Sequence, residues 1–462
     1  MNAGVVGTLR KLIGEDWVLD NLEQTKGYLY DQTEELIRPR AAEDSIVVKP
    51  GNTKEVSEIL KYANEVKIPI VPRGGGTGLC GAAIPTKSSI ILSDERLNKT
   101  IEVDELNLMV TCDAGVTLAA LLEKLKEYDN LFFPVHPGDE GAHIGGMVVQ
   151  NAGGAKAVRH GIMRNHIKGL EVVFPTGEIT NLGGKLIKNN SGLDLLHLMI
   201  GSEGILGIVT KVILKLYPEP KYSGTLLVSF NNREDAIAVV PQILQRGIIP
   251  LAIEYMERDV ALESAEHIGA KWPAVDGSVD VIIILSEDKE DTLYEKSEEI
   301  VEICDSNNAV YTSIAESARE QNTILAVRSN VYTAVKHNAV DGLDMAVPIG
   351  SIPDFMREIF RLADRYGAKT PSVGHAGDGN IHNFIMRENG EIPPYYEELK
   401  EEMYKTAVKY GGTITAEHGI GKTRVPNLAL QLSHKEIELI KAIKKAFDPN
   451  GILNPGTVVN IE

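Results

Sequence analysis

Two histidines flank a short glycine-containing segment, PSVGHAGDGNIHNF, at residues 371–384. His375 and His382 are seven residues apart, so on a regular strand their side chains would face opposite sides of the sheet. They can converge only if the chain bends between them, which the glycines of this segment allow. Glu417 and His418 are adjacent in TAEHGIGKT. Neutral imidazoles with a carboxylate suit zinc, iron or manganese, so a divalent-metal site is one interpretation and a structural histidine pair is the other.

Three glycine-rich segments precede these residues: VPRGGGTGLCGAAIP (71–85), HPGDEGAHIGGMVVQNAGGAKAVRHG (136–161) and IGSEGILGIVT (200–210). Glycine has no Cβ, so backbone N–H groups in such segments can approach a phosphate closely. None has the GxGxxG spacing before a helix that a Rossmann domain needs, and AEHGIGKT has Ala416 where a P-loop begins with glycine. The first segment alone could be a structural turn. Three within one span of 140 residues predict a single long ligand, such as a dinucleotide.

The spacing of apolar residues predicts the elements that position these groups. A strand at 45–50, a helix capped by Asn52 and a strand at 68–72 form a β–α–β unit, and 169–182 form a hairpin that turns at Thr176-Gly177. The segment YPEPKYSG (217–224) marks a boundary. Beyond it a βαββαβ unit of the ferredoxin-like kind is predicted, with strands at 225–230, 250–257, 280–286 and 309–314 and helices at 233–246 and 289–305. Further helices are predicted around 317–337, 352–366, 395–410 and 433–449.

Composition limits the partners and the compartment. The 462 residues carry a formal net charge of −18, which argues against a nucleic-acid partner because such proteins need a basic surface. The three cysteines are far apart and lack the spacing of a zinc or iron–sulfur site, which favours a reduced, cytoplasmic protein. The sequence has no signal peptide pattern and no apolar run approaching the ~20 residues of a membrane span. Peripheral contact with a membrane stays open.

Six motifs occur in an order that resembles the FAD-linked 2-hydroxy-acid dehydrogenases of the vanillyl-alcohol-oxidase-type superfamily, in the branch that contains D-lactate dehydrogenase and the flavoprotein subunit of glycolate oxidase. They are PRGGGTGLCG, HIGGMVVQNAGG, GSEGILGI, GHAGDGNIH, EHGIG and DPNGILNPG, and the resemblance covers the chain from about residue 40 to residue 456. The resemblance implies an α+β fold with a two-subdomain FAD-binding domain (1–220), a ferredoxin-like α+β cap domain (221–410) and a C-terminal helical segment that returns to the flavin (411–462).

The same resemblance implies a set of FAD-binding residues. The pyrophosphate would be held by Arg73, Gly74, Gly75, Gly76, Thr77 and Gly78. The flavin side would be lined by Gly145, Gly146, Asn151, Gly153 and Gly154. The adenosine half would be reached by Glu203, Gly204 and Ile208, with Asn454 near the isoalloxazine. Relatives with covalent flavin have a histidine where this chain has Thr77, so non-covalent FAD is expected.

The resemblance also assigns the residues of the first paragraph. His375, His382 and Glu417 would bind the divalent ion, His418 would be the base, and Arg328 would pair with the substrate carboxylate. A metal that binds an α-hydroxyl lowers the pKa of that group, as it does for bound water. An imidazole can then accept the proton near neutral pH while the α-hydrogen leaves as hydride to flavin N5.

Two departures from the family pattern bear on the substrate. Phe384 stands where relatives commonly have asparagine, and the segment GLDMAVPIGSI (342–352) has Asp344 and no lysine where some relatives that act on larger diacids carry one. Both favour a small monocarboxylate, D-lactate above glycolate, over D-2-hydroxyglutarate. Electrons would pass to an electron-transferring flavoprotein, an iron–sulfur subunit or a quinone. The alternatives are another flavoenzyme branch similar to alkyl-glycerone-phosphate synthase, a non-catalytic flavoprotein and, more remotely, a metal-dependent hydrolase.

Overall fold

The computed structural model describes residues 3–315 and 317–460, without the side chain of Ala318. The strands are β1 (Val18–Leu19), β2 (Ile46–Val48), β3 (Ile70–Arg73), β4 (Ile90–Ser93), β5 (Ile101–Asp104), β6 (Met109–Asp113), β7 (Leu131–Phe132), β8 (Ile167–Val173), β9 (Ile179–Gly183), β10 (Ile208–Lys215), β11 (Tyr217–Pro218), β12 (Tyr222–Phe230), β13 (Ala252–Glu257), β14 (Val279–Glu287), β15 (Tyr311–Ala315), β16 (Ala339–Ala346), β17 (Ser372–His375) and β18 (Asn380–Met386).

The helices are α1 (Ala3–Ile13), α2 (Leu22–Thr25), α3 (Thr53–Val66), α4 (Leu118–Leu125), α5 (Ile144–Gln150), α6 (Ala157–His160), α7 (Met163–His166), α8 (Leu195–Met199), α9 (Arg233–Gln245), α10 (Arg258–His267), α11 (Glu290–Ser306), α12 (Ala318–Ser329), α13 (Val331–Val335), α14 (Ile352–Tyr366), α15 (Tyr396–Lys409) and α16 (His434–Phe447). Short 3₁₀ turns connect several of these elements. No helix within the described ranges is long and apolar enough to cross a membrane.

Two large sheets and the short antiparallel pair β7–β11 form the N-terminal half. The first has the order β1-β2-β4-β3, and β2, β4 and β3 are parallel, with α3 as the crossover between β2 and β3. The Asn52 side chain accepts a hydrogen bond from Glu55 N–H at 3.0 Å, which confirms the predicted cap. The second sheet, β5-β6-β10-β8-β9, is antiparallel. Its β8–β9 hairpin turns through Gly177 with φ +88°, which confirms the predicted turn.

A seven-stranded sheet, β15-β12-β14-β13-β17-β18-β16, forms the other half. Its first four strands are antiparallel and, with α9 and α11, have the predicted ferredoxin-like βαββαβ order. Fully buried aromatic side chains, Phe230, Tyr255, Phe355 and Tyr404, belong to the apolar core of this half. The three added strands, β17, β18 and β16, extend the ferredoxin-like sheet, and two of them carry the histidines.

The segment after α16 attaches to the first sheet. Leu453 forms a parallel bridge with Ile70 in β3, through Ile70 N–H to Ile452 O at 2.8 Å and Asn454 N–H to Ile70 O at 2.7 Å. Because β3 leads directly into the first glycine segment, these late residues lie beside that segment.

Candidate active site

A long cleft is lined by residues of all three glycine segments and by the EHG turn. It encloses about 1290 Å³, counted with the solvent at its mouth. Of the residues predicted to bind the cofactor, the cleft is lined by Arg73, Gly74, Gly75, Gly76, Thr77, Gly78, Gly145, Gly146, Gly153, Glu203, Gly204, Ile208 and Asn454. Glu417 and His418 line its other end.

The first glycine segment is too crowded for side chains. A Cβ on Gly75 would lie 2.5 Å from the carbonyl oxygen of Gly141, and Gly76 has φ +73° with its missing Cβ facing the Arg73 guanidinium. The Arg73 Nη1 atom is buried and has no hydrogen-bond partner among the described residues. A bare backbone turn with an unpartnered guanidinium nitrogen beneath it suits an anionic group such as a pyrophosphate.

Two predicted cofactor residues lie outside the lining of the cleft. Asn151 ends α5 with φ +54°, and its side-chain oxygen accepts a hydrogen bond from Arg164 N–H at 3.0 Å. Gly154 packs against the backbone of His136, whose carbonyl oxygen would lie 2.1 Å from a Cβ there. In the described structure both residues therefore shape the second glycine segment rather than face the cleft.

The Glu203 and Asn454 side chains line the cleft but already have protein partners. The Glu203 carboxylate accepts hydrogen bonds from the N–H groups of Ile420 at 2.8 Å and Gly421 at 2.7 Å. Burial raises the pKa of Glu203 to about 7, although these two hydrogen bonds act to lower it. Asn454 donates to Glu203 O at 2.9 Å and accepts from Lys422 Nζ at 2.9 Å. Glu203 therefore joins the third glycine segment to the turn that follows His418.

The histidine hairpin brings its two rings together as the glycines allow. His375 ends β17, a 3₁₀ turn at 376–378 and Gly379 with φ +93° reverse the chain, and His382 lies in β18. The ring centroids of His375 and His382 are 5.6 Å apart. The ring of His418 stacks on that of His382 at 5.2 Å with 7° between the planes. The predicted bend is confirmed.

Three imidazoles surround one carboxylate oxygen. The Nε2 atoms of His382, His375 and His418 lie 3.5, 3.6 and 3.9 Å from Glu417 Oε1. Two atoms bonded to one zinc ion at ~2.0–2.1 Å in tetrahedral geometry are ~3.4 Å apart. Burial lowers the pKa of His382 to about 4, which favours the neutral ring that binds a metal, whereas Glu254 and Glu417 outweigh burial and raise the pKa of His375 to about 10. The donor set and its spacing therefore fit a divalent ion.

Asp344 is a fully buried carboxylate that holds the EHG turn. Its Oδ2 accepts hydrogen bonds from the N–H groups of three consecutive residues, Ala416 at 2.9 Å, Glu417 at 2.9 Å and His418 at 2.8 Å. It also accepts from Thr415 Oγ1 at 3.0 Å, and its Oδ1 accepts from Asn380 Nδ2 at 2.9 Å. These bonds, with the neighbouring imidazoles, lower the pKa of Asp344 despite its burial.

Asp344 also lies near the imidazoles, but on their other side. Among the described residues, one ligand atom each from Asp344, His382, Glu417 and His418 falls within 4.8 Å of the others. Asp344, however, faces the Nδ1 atoms of His382 and His418 at 3.6 and 3.8 Å, opposite the Nε2 atoms that face Glu417. Its oxygens are already bonded to five donors. We therefore regard His375, rather than Asp344, as the member that completes the donor set.

Glu254 was not identified from the sequence, and it orients His375. This buried carboxylate of β13 contacts His375 Nδ1 at 2.8 and 3.0 Å and forms an ion pair with Arg328 Nη2 at 2.6 Å. Burial alone would raise the pKa of Glu254, but the charges of Arg328 and His375 lower it to about 2. Each of these carboxylates could have been noticed in the sequence as an acidic residue inside an otherwise apolar segment, Glu254 in AIEYM and Asp344 in GLDMAV.

Arg328 therefore lies in the site but is already paired. It is near the end of α12, and its Nη2 also contacts His375 Nδ1 at 3.3 Å. Its Nε is buried without a hydrogen-bond partner among the described residues. Phe384 follows His382 by two positions on β18 and is buried in an apolar cluster with Val327 and Val331 of α12 and α13. Phe384 thus packs against α12, the helix that carries Arg328.

Comparison with known families accounts for both halves of the chain. Residues 45–183 match the family described as an FAD binding domain. Residues 219–458 match the family described as FAD linked oxidases, C-terminal domain. The FAD-binding match gives the glycine-lined cleft a cofactor, whereas a metal hydrolase would leave that cleft without a role.

Curated relatives cover nearly the whole chain. A D-lactate dehydrogenase of Archaeoglobus fulgidus is 39% identical, over 96% of this chain and 97% of its own. Glycolate oxidase subunit GlcD of Bacillus subtilis is 34% identical, over 93% of this chain and 91% of its own. A D-2-hydroxyglutarate dehydrogenase of Stutzerimonas stutzeri is 31% identical, over 98% of both chains.

Solved structures establish the fold. A p-cresol methylhydroxylase superposes with a TM-score of 0.78 at 18% identity, covering 99% of this chain and 97% of that one. An alkyldihydroxyacetonephosphate synthase superposes with a TM-score of 0.74 at 20% identity, covering 98% of this chain and 85% of that one. The α+β architecture of this chain is the fold of these two proteins, and an α+β fold is what the sequence motifs predict.

Proposed function

This chain belongs to the FAD-linked oxidases, as an FAD-dependent hydroxy-acid dehydrogenase, and we propose that it oxidises a small D-2-hydroxy acid, D-lactate, to the 2-oxo acid with the help of a divalent metal. One observation carries the proposal. The three imidazole Nε2 atoms lie 3.5–3.9 Å from Glu417 Oε1, and Glu417 and His418 line the FAD cleft. The donor set therefore lies at the end of the cofactor site, where a substrate can contact both.

FAD supplies the hydride acceptor, and the metal supplies a Lewis acid for the substrate hydroxyl. His375, His382 and Glu417 hold the ion in this proposal, and Glu254 fixes the orientation of His375. His418 accepts the hydroxyl proton, because it is the imidazole of the three that lines the FAD cleft. Asp344 keeps His418 and Glu417 in place by binding their backbone N–H groups. Ligand and base are thus positioned by one carboxylate.

The choice of D-lactate rests on the wall formed by α12, α13 and β18. Phe384 of β18 is 4% exposed and packs against α12 and α13, and its side chain offers no polar group to a second carboxylate of a substrate. D-Lactate needs one carboxylate partner, and Arg328 supplies a cation for it. Glycolate and D-2-hydroxyglutarate are the alternatives, since relatives carry both names.

Removal of the metal is the test of this proposal. We expect purified holoenzyme treated with a chelator to lose at least about 100-fold in the rate of anaerobic flavin bleaching by D-lactate, since Lewis-acid assistance contributes several kcal/mol. FAD content should be unchanged, and added Zn²⁺ or Mn²⁺ should restore the rate. Protein that bleaches equally fast after complete metal removal would contradict the metal role. Protein purified without flavin would contradict the dehydrogenase itself, and faster bleaching by D-2-hydroxyglutarate would reject D-lactate.

Replacement of Arg328 by lysine should raise KM for D-lactate by about 10- to 100-fold, because a point charge replaces a planar guanidinium that can hold a carboxylate through two N–H groups. The measurement is steady-state kinetics with an artificial electron acceptor. Arg319→Lys, an exposed change on the same helix, is the matched control and should leave KM unchanged. A variant whose kcat falls while KM stays constant would mean that Arg328 acts only through Glu254 and His375.

The electrons must leave the reduced FAD by way of a partner. The three cysteines, Cys80, Cys112 and Cys304, are separate and buried, so they do not form a cluster site. We propose that the acceptor is an electron-transferring flavoprotein, an iron–sulfur subunit or a quinone. Reoxidation of the bleached enzyme by each acceptor in turn distinguishes them.

A further inference from the structure

A histidine–aspartate pair in the wall of the FAD cleft has no role in the chemistry above. The Nδ1 atom of His143 lies 2.6 Å from Asp94 Oδ1, and the two side chains are only 12% and 11% exposed. Both residues line the cleft. His143 immediately precedes α5, and Asp94 immediately follows β4. The pair therefore joins the end of β4 in the first sheet to the start of α5 at the cofactor site.

The imidazole lies against the first glycine segment. A Cβ on Gly74 would be 3.5 Å from His143 Cβ, and one on Gly75 would be 3.4 Å from His143 Cδ2. This segment carries the bare backbone turn that suits a pyrophosphate. His143 is thus placed beside the part of the cleft where the anionic portion of FAD is expected.

The charged groups near His143 come from three elements. Arg73 ends β3, Asp94 and Glu95 follow β4, and Asp139 lies in the loop before α5. Glu95 is paired with Lys49 at 2.7 Å, and Asp139 accepts from Gln32 Nε2 at 3.1 Å, which leaves Asp94 as the direct partner of the imidazole. Burial alone would lower the pKa of His143, but Asp94 outweighs burial and the pKa is raised.

The hydrogen bond to Asp94 decides what the second ring nitrogen can do. The Asp94 carboxylate accepts a hydrogen bond from Nδ1 of His143. The Nε2 atom of the same ring has no hydrogen-bond partner among the described residues. A neutral ring that donates from Nδ1 has only a lone pair at Nε2, whereas a protonated ring has a second N–H there. Phosphate oxygens accept hydrogen bonds and cannot donate them in the neutral pH range. Only the protonated ring can therefore bind one.

We propose that His143, held by Asp94, donates from Nε2 to the anionic pyrophosphate of FAD, so that the affinity for FAD depends on protonation of this ring. The inference rests on FAD binding and is independent of the metal, the substrate and the electron acceptor. Because the pKa of His143 is raised, the contact is complete at low pH and is lost as pH rises through that value. Bound FAD raises the same pKa further by linkage.

The test is release of FAD from diluted holoenzyme at pH values from 6 to 9, measured by the fluorescence of free flavin without substrate. Loss of one charge-assisted hydrogen bond should raise the Kd of wild-type enzyme by about tenfold or more across this range. His143→Gln, whose side-chain amide does not ionise, should bind FAD with an affinity that does not change with pH. Asp94→Asn, which removes the charge that favours the protonated ring, should move the weakening to lower pH.

His197→Gln is the matched control, because His197 also contacts a carboxylate, Asp194, at 2.7 Å but is 42% exposed. It should release FAD as wild type does. A wild-type Kd that does not change with pH, or a His143→Gln enzyme with the wild-type slope, would overturn the proposal. If His143→Gln does not fold, the pH dependence of the Kd for FAD in Asp94→Asn decides. A shift to lower pH supports the proposal, and an unshifted dependence rejects it. If the Kd for FAD rises with pH as expected but the enzyme does not oxidise D-lactate, the proposed function is refuted and this inference stands.

Discussion

Replacement of His418 by asparagine should lower the rate of flavin reduction by D-lactate by about 10²- to 10⁴-fold, the usual contribution of a positioned general base. Asparagine keeps a polar side chain and the backbone N–H that donates to Asp344, but it cannot accept the substrate proton. The rate should be measured anaerobically by stopped-flow absorbance of the flavin. FAD content and metal content should equal those of the wild type, since His418 is the proposed base and not a ligand.

Metal content separates the two roles that the geometry permits for His418. Its Nε2 is 3.9 Å from Glu417 Oε1, only slightly farther than those of His375 and His382. An asparagine variant that loses its metal together with its activity would identify His418 as a fourth ligand and reject its assignment as the base. His337→Asn, an exposed change, is the control and should keep full activity. Unchanged activity of His418→Asn would remove this residue from the mechanism.

Replacement of Asp344 by alanine should lower the free energy of unfolding by about 3–5 kcal/mol and abolish metal binding. The carboxylate is 0% exposed and accepts from five donors, so its removal leaves buried N–H groups without partners, which is the costly way to break such a cluster. The turn that carries Glu417 and His418 would then lose its support. Urea unfolding measures the first effect, and metal analysis measures the second.

Asp354→Ala is the matched control for this change. Asp354 is 61% exposed and pairs with Arg357 within one turn of α14, so its loss should change stability by no more than about 0.5 kcal/mol. An Asp344→Ala protein with wild-type stability and full metal content would show that the EHG turn holds its shape through other contacts. Glu203, which binds the N–H groups just after that turn, would be the residue to examine next.

Much of the fold could be predicted because its signals are local. The βαββαβ unit has alternating strands, helical spacing and clear turns, and each of its six elements appears in the structure within a few residues of its predicted bounds. The hairpin at Gly177 and the bend between His375 and His382 follow from glycines at the required positions. The three added strands of the large sheet could not be assigned an order, because strand neighbours depend on contacts between residues far apart in sequence.

The carboxylates that support the site were harder to assign for the same reason. Glu254 meets His375 across 121 positions, and Asp344 meets the EHG turn across more than 70. The sequence around Glu254 or Asp344 does not indicate which residue each one contacts. An acidic residue inside an apolar strand does, however, indicate a buried charge that must be paired, and that signal was present at both positions. The same limit applies to Asp94 and His143, which are 49 positions apart.

The link made by Glu203 has a consequence for how the molecule is assembled. Its backbone belongs to the segment that closes the FAD cleft, while its carboxylate binds Ile420 and Gly421, two and three residues after His418. We therefore expect occupancy of the cleft to favour the ordered form of the EHG turn. A cofactor present at 100 times its Kd adds about 2.7 kcal/mol to the native state. Loading with FAD should therefore also stabilise the turn that carries Glu417 and His418.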